Sequence, residues 1–208
     1  MKKHVILFLT LGFLLNLGSY AQEKTNLELT DLFSMEYVSD PQISPDGLQI
    51  VFVRNFKDIM TDRDYSNLWI SNMDGTRIRQ LTQGNQRDYA PRWSHDGKKL
   101  AFLSNQDDEK VKLYLMYPDT RETIALTNTS TPPGAVAWSP DGSQLAFTQF
   151  VSETKKSMLT IPAKPEGAEW SAPPIFIDEM NYRGDGSGYL KSGNVQIFTL
   201  GIDGGTPR

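Results

Sequence analysis

The stretch Ser44-Pro45-Asp46-Gly47-Leu48-Gln49-Ile50-Val51-Phe52-Val53 decides how this chain folds, because it returns twice. Its second form is Ser94-His95-Asp96-Gly97-Lys98-Lys99-Leu100-Ala101-Phe102-Leu103, and its third is Ser139-Pro140-Asp141-Gly142-Ser143-Gln144-Leu145-Ala146-Phe147-Thr148. The Asp residues at 46, 96 and 141 are spaced 50 and then 45 residues apart. A repeat of about 40–50 residues is the period of a β-propeller blade. The phrase also has a local meaning. Pro fixes φ near the value a tight turn needs, Asp can accept from its own backbone, and Gly supplies the positive φ that other residues resist. Ser-Pro-Asp-Gly therefore reads as a hairpin turn, and the apolar run behind it as a strand inside the sheet. Those runs are apolar at consecutive positions, which suits sheets covered on both faces by neighbouring blades. Phe52, Phe102 and Phe147 are expected to be equivalent and buried.

The repeat extends outward from the turn. A large apolar residue precedes it each time: Ile43, Trp93 and Trp138. A third strand follows, Leu68-Trp69-Ile70 in one copy and Leu113-Tyr114-Leu115-Met116 in the next. A second turn comes after it, Met73-Asp74-Gly75-Thr76 and then Pro118-Asp119-Thr120-Arg121. Ile78–Thr82 and Thr123–Thr127 close the copies. Four strands joined by short hairpins make a blade. The fold class is all-β, with about three four-stranded β-propeller blades and an incomplete ring. The blades are expected at about 38–82, 89–127 and 135–208.

The sequence has 208 residues. The first twenty-one read as a cleaved secretory signal: Lys2 and Lys3, the apolar stretch Val5–Leu17, and the small-residue site Ser19-Tyr20-Ala21. The apolar stretch is too short for a membrane span. An exported protein, periplasmic or secreted, with no membrane span after cleavage is the expectation. Removing 1–21 takes away two Lys and no acid, leaving 19 basic and 25 acidic residues. An acidic domain without a basic stripe argues against nucleic acid as a partner. The chain has no Cys, so disulfides and thiolate metal sites are excluded.

After residue 22 a polar lead-in reaches Thr30-Asp31-Leu32-Phe33, read as a helical turn capped by Thr30 that packs Leu32 and Phe33 on the first blade. The rhythm breaks after Phe150. The counterpart of Asp119 should lie about 45 residues on, yet Ile202-Asp203-Gly204-Gly205 arrives much later. An insertion at about 151–193 therefore interrupts the third blade. It is rich in Pro and Gly and carries Trp170, Phe176, Tyr182 and Tyr189. The sequence ends at Thr206-Pro207-Arg208, where a closing strand like Ile78–Thr82 is due, so it reads as the front part of a longer protein.

The opening Glu28-Leu29-Thr30-Asp31-Leu32-Phe33 and Val38-Ser39-Asp40-Pro41-Gln42-Ile43-Ser44-Pro45-Asp46-Gly47 resembles that of the prolyl oligopeptidase family. Ile177–Leu190, with Tyr182-Arg183-Gly184-Asp185-Gly186, is similar to a segment of its acylaminoacyl-peptidase and dipeptidyl-peptidase-like branch. The resemblance spans residues 27–208. It implies a propeller that caps an α/β-hydrolase domain carrying Ser, Asp and His, and that restricts the access of peptide substrates. It implies as partners a C-terminal α/β-hydrolase domain absent from this sequence, and a peptide.

No nucleophile elbow of the form Gly-x-Ser-x-Gly occurs; Ser187 has Asp185 and Tyr189 at the flanking positions. After residue 21 the sole His is His95, in a turn. No catalytic residue, cofactor or metal site is therefore assigned. Asp58, Asp62 and Asp64, and the run Asp107-Asp108-Glu109, lack the spacing of a calcium loop and read as solvated loops. Gly184–Gly188 lacks the pattern of a phosphate cradle and reads as a turn. Trp93 and Trp138 read as core packing. The insertion offers Tyr182, Arg183 and Asp185 as candidate substrate-binding residues: an aromatic, a cation and an acid in one loop. An internal Arg183–Asp185 pair is the other reading, and a non-enzymatic periplasmic binding propeller similar to that of the Tol system is the other function class.

Overall fold

The computed structural model describes residues 26–107, 110–153, 162–171, 175 and 177–208. The expected signal peptide, and Asp108, Glu109, Pro173, Pro174 and Phe176, lie outside the described residues. The chain divides into a leading unit ending at Leu32 and a second unit, Phe33–Arg208. The expected turn forms at Leu29–Phe33 as a 3-10 helix, but its cap differs. The Glu28 amide donates to the Asp31 carboxylate at 2.9 Å and the Asp31 amide to the Glu28 carbonyl at 3.1 Å. Asp31, one residue beyond Thr30, supplies the side-chain cap because a 3-10 turn brings residues three apart together. Leu32 is 50 % exposed, not packed away.

Within the second unit the repeat becomes three antiparallel sheets. The first orders β1 (Tyr37–Ile43), β2 (Gln49–Asp58), β3 (Arg63–Asn72) and β4 (Arg79–Gln80). The second orders β5 (Asp88–Trp93), β6 (Leu100–Ser104), β7 (Lys112–Tyr117) and β8 (Glu122–Ala125). In the third, β10 (Gln144–Ser152) lies between β9 (Pro133–Trp138) and β13 (Gly193–Gly201). The insertion holds a small hairpin of its own, β11 (Arg183–Gly184) with β12 (Gly188–Tyr189). In the third blade Arg208 and Thr199 also exchange both backbone hydrogen bonds, at 3.0 and 2.8 Å. In the first blade Arg79 holds the same register opposite Ile70.

Each Ser-x-Asp-Gly phrase makes the same turn. In the first, the Gly47 amide donates to the Ser44 carbonyl at 2.8 Å. The Ser44 hydroxyl donates to the Asp46 carboxylate at 2.6 Å, which also accepts the Leu48 amide at 3.0 Å. The same pair of bonds recurs at Asp96 and Asp141. Gly47, Gly97 and Gly142 have φ of 72°, 67° and 69°, the left-handed conformation that the turn demands and Gly alone adopts without cost.

Stacking decides which strand residues are buried. In β6 all five residues are buried, because the middle blade is covered on both faces. Leu100, Phe102, Tyr114 and Met116 close a core with Val51, Val53, Leu68 and Ile70 of the first blade. Ala101, Leu103, Leu113 and Leu115 close a second core with Leu145, Phe147 and Leu200 of the third. In β2 and β10 burial alternates, since each outer blade has one neighbour. This corrects the expectation for Phe52. Phe102 and Phe147 are 0 % and 1 % exposed, whereas Phe52 is half-buried, on the face of the first blade that no other described blade covers. The three Phe are equivalent in register, each paired with an aromatic on the next strand: Trp69, Tyr114 and Phe198.

Polar bonds cross both seams. The Trp93 indole N–H donates to the Gln42 carbonyl at 3.2 Å, and the Trp138 indole N–H to the Arg92 carbonyl at 2.9 Å. The two tryptophans are half-buried against the cores, so their rings pack while their N–H groups latch one blade to the one before. At the first seam Arg92 also pairs with Asp40 at 2.8 Å, and Arg79 donates to the Pro118 carbonyl at 3.1 Å.

Candidate functional site

The insertion leaves β10 after Ser152 and returns at Gly193. Its foot is narrow: the Glu153 amide donates to the Ser192 carbonyl at 2.9 Å, and the Asn194 side chain to Glu153 at 2.9 Å. Gly193 has φ of 153°, and a Cβ there would collide with the Val151 carbonyl oxygen and lie 2.7 Å from the Phe150 ring. Only Gly lets the chain turn back into the sheet at this point.

At its tip Tyr182 and Tyr189 stack across the β11–β12 hairpin with ring centroids 6.3 Å apart. The Leu190 amide donates to the Tyr182 carbonyl at 2.8 Å. The glycine run reads out as the hairpin turn, with Gly186 and Gly188 at φ of 77° and 71°. Tyr182, Arg183 and Asp185 all stand exposed on this small element, and among the described residues no ion pair joins Arg183 to Asp185. Met180, Ile175 and Ile177 nearby are also exposed. The cleft between the hairpin and its flank, lined by Ile175, Ile177, Tyr182, Tyr189 and Leu190, holds about 50 Å³. That is far below the size of a small-molecule site. The hairpin can offer contact to a surface or an extended peptide, with aromatic faces beside one cation and one acid.

The remaining candidates fall into loops. His95 is exposed in the second turn. Asp58 accepts the Met60 amide and the Thr61 hydroxyl at 3.0 and 2.8 Å, and Asp64 pairs with Lys57 at the end of the β2–β3 hairpin. Asp107 accepts the Tyr114 hydroxyl at 2.7 Å. Among the described residues no cluster of His, Asp or Glu could hold a metal ion.

A polar cluster at the first seam was not singled out from the sequence. Asp88 is fully buried. Its carboxylate accepts the Ser104 hydroxyl at 2.5 Å and the Gln86 side-chain NH2 at 3.2 Å, while its carbonyl accepts the Ser66 hydroxyl from the first blade at 2.8 Å. Burial pushes the Asp88 carboxyl above its ordinary range, against the opposing pull of hydrogen bonds from Ser104, Thr82, Asn67 and Gln86. The turn carboxylates go the other way. The hydroxyls of Ser44, Ser94 and Ser139, followed by backbone amides, hold Asp46, Asp96 and Asp141 below their usual range, Asp141 at about 2. Asp88 lacks a repeat signal, because Pro133 stands at its place in the third blade.

The family described as PD40, the TolB beta propeller domain, matches residues 48–208. The chain belongs to the TolB β-propeller domain family. This TolB-type propeller is 28 % identical over 175 residues to YuxL of Bacillus subtilis (strain 168), an uncharacterized peptidase, covering 84 % of this chain and 26 % of that protein. It is 32 % identical over 129 residues to dipeptidyl-peptidase 5 of Porphyromonas gingivalis, covering 62 % of this chain and 19 % of the relative. In fold it is similar to the acylaminoacyl peptidase of Pyrococcus horikoshii, with a TM-score of 0.63 at 15 % identity over 85 % of this chain and 25 % of the other. The TolB-type propeller thus spans about a quarter or less of the length of these relatives, and it is related to the propeller portions of peptidases. Among the described residues no helix is long and apolar enough to cross a membrane.

Proposed function

We propose that this chain is the propeller portion of an exported serine peptidase of the prolyl oligopeptidase type, and that it restricts which peptides reach a catalytic α/β-hydrolase portion of the same polypeptide. The observation that carries this reading is the match to a peptidase across 84 % of this chain but only 26 % of that relative. In this reading the propeller contributes sterics and contacts, and the nucleophile and general base come from the hydrolase portion. Tyr182, Arg183 and Asp185 then meet the peptide: the Tyr182 ring against a side chain, the Arg183 guanidinium against a carboxylate or carbonyls, and Asp185 against an amine. The bonds that tie Glu153 to Ser192 and Asn194 support such a role, because they anchor the chain that follows the hairpin to the third blade.

The test uses the full-length enzyme with Tyr182→Ala and Arg183→Ala. Both should raise KM for peptide substrates severalfold while leaving kcat within about twofold, the signature of lost binding that ground state and transition state share. Unchanged KM in both variants would remove the insertion from the substrate path. A second reading, a binding propeller without peptidase activity, is favoured by the TolB description of the family itself. It requires that the full-length polypeptide carry no reactive serine.

A further inference from the structure

The first strands β1, β5 and β9 adjoin across the seams, whereas the fourth strands β4 and β8 do not. The blades therefore converge on their first strands, which border the propeller axis. One side chain crosses that border. Arg92 pairs with Ala101, so its Cβ lies on the face of the second blade that meets the third. Its guanidinium nevertheless reaches the first blade, where Nη1 donates to the Asp40 carboxylate at 2.8 Å, and also to the Pro91 carbonyl at 2.6 Å. Because β6 occupies the other edge of β5, the side chain passes round the free edge, on the axis side. The Gln42 side-chain NH2 holds Asp40 in turn, donating to its carboxylate at 2.7 Å.

Stacking of blades does not require this pair. Counted from the turn aspartates, the second seam has Ala90 and Ala137 where the first has Asp40 and Arg92, and it closes all the same. The bulge is common to both, with φ of 45° at Asp40 and 54° at Ala90, and so belongs to the fold; the charges do not. The Arg92 side chain is 34 % exposed and that of Asp40 31 %. Nε and Nη2 of Arg92 meet no protein acceptor among the described residues, and Ala135 and Ala137 on β9 are small and exposed. Nε and Nη2 form the edge through which a guanidinium grips a carboxylate by two parallel hydrogen bonds. We propose that Arg92 is a carboxylate receptor on the wall of the axial channel. Asp40 fixes Nη1, and the Nε–Nη2 edge takes the carboxylate of a peptide, from its C-terminus or from an acidic side chain. Every residue of this site lies in the propeller, so it does not rest on a catalytic portion.

Phenylglyoxal, which condenses with accessible guanidinium groups, tests the site in the full-length polypeptide. The protein is first treated with a fluorophosphonate, so that no peptidase activity consumes the probes. The rate of modification at Arg92 is followed by mass spectrometry of digests, with Arg121, exposed in the turn between β7 and β8, as the reference. Millimolar acetyl-trialanine, with a free C-terminus, and acetyl-aspartate amide are the carboxylate probes. Acetyl-trialanine amide and acetyl-asparagine amide are their neutral counterparts. The carboxylate probes should slow modification of Arg92 severalfold while the amides leave it unchanged, and Arg121 should not respond to any of them. Slowing by one carboxylate probe alone bears the proposal out and names the source of the carboxylate. An Arg92 that does not react, that is slowed equally by the amides, or that is slowed no more than Arg121 overturns the proposal.

Discussion

Phe102 and Phe52 occupy the same place in the repeat, and truncating each to Ala separates stacking from strand register. Phe102 is 0 % exposed and stacks on Tyr114 with centroids 5.5 Å apart, between the first and second blades. Removing a phenyl from such a site costs about 3–5 kcal/mol, the lost transfer energy plus the cavity left behind. Phe52 faces away from the other described blades and is half-buried, so its truncation forfeits about 1–2 kcal/mol and opens no closed cavity. For a domain of this size 1 kcal/mol moves Tm by about 2–4 °C, so Phe102→Ala should melt roughly 10 °C lower and Phe52→Ala only a few degrees lower. Urea unfolding followed by circular dichroism gives the same comparison, provided the m-value stays constant. Equal losses at the two positions would refute the assignment of buried faces, since they require the leading face of the first blade to be covered in solution.

Ser139→Ala removes the hydroxyl that contributes most to holding down Asp141, so its carboxyl should titrate nearer 3.8 than about 2 in a carbon-detected NMR titration. Because these turn carboxylates are depressed in the folded state, their contribution to stability is present above about pH 3.8 and is lost as pH falls through the folded values. Asp88 has the opposite sign: its folded carboxyl is raised, so stability should grow as pH falls from neutral through that value. Asp88→Asn should flatten that rise in denaturation curves taken between pH 7 and 4, and a wild type that is already flat there would count against a charged, buried Asp88. Gly193→Ala should destabilise the third blade by about 1–3 kcal/mol, because its Cβ meets the Val151 carbonyl and the Phe150 ring; a melt unchanged from wild type would show that the foot of the insertion yields.

What the sequence displayed was the part of the fold that repeats. The turn phrase, the apolar run and the closing Leu-Thr recur because each blade solves the same hydrogen-bond problem, and three turns and two full blades could be placed from them. Phe52 was misjudged because burial of a strand residue depends on which neighbour stacks on its blade, and a repeat describes all blades as if each had two. Asp88 escaped because it serves a single seam. Its partners Ser66 and Ser104 come from β3 and β6, brought together by the stacking of blades. Tyr182, Arg183 and Asp185 could be placed in one loop, but not on a hairpin of two two-residue strands with Tyr182 and Tyr189 stacked beside it. Phe198 was also missed, because the insertion moved its strand out of the repeat period.

Labelling the polypeptide in its source cell with a fluorophosphonate, followed by capture with an antibody against residues 22–208, tests the central claim most directly. The account predicts a labelled band far heavier than the 23.4 kDa of this chain, in the exported fraction, whose label maps to a serine outside residues 22–208. A captured polypeptide that takes no label at any serine would contradict it, and would leave a binding propeller in place of a peptidase.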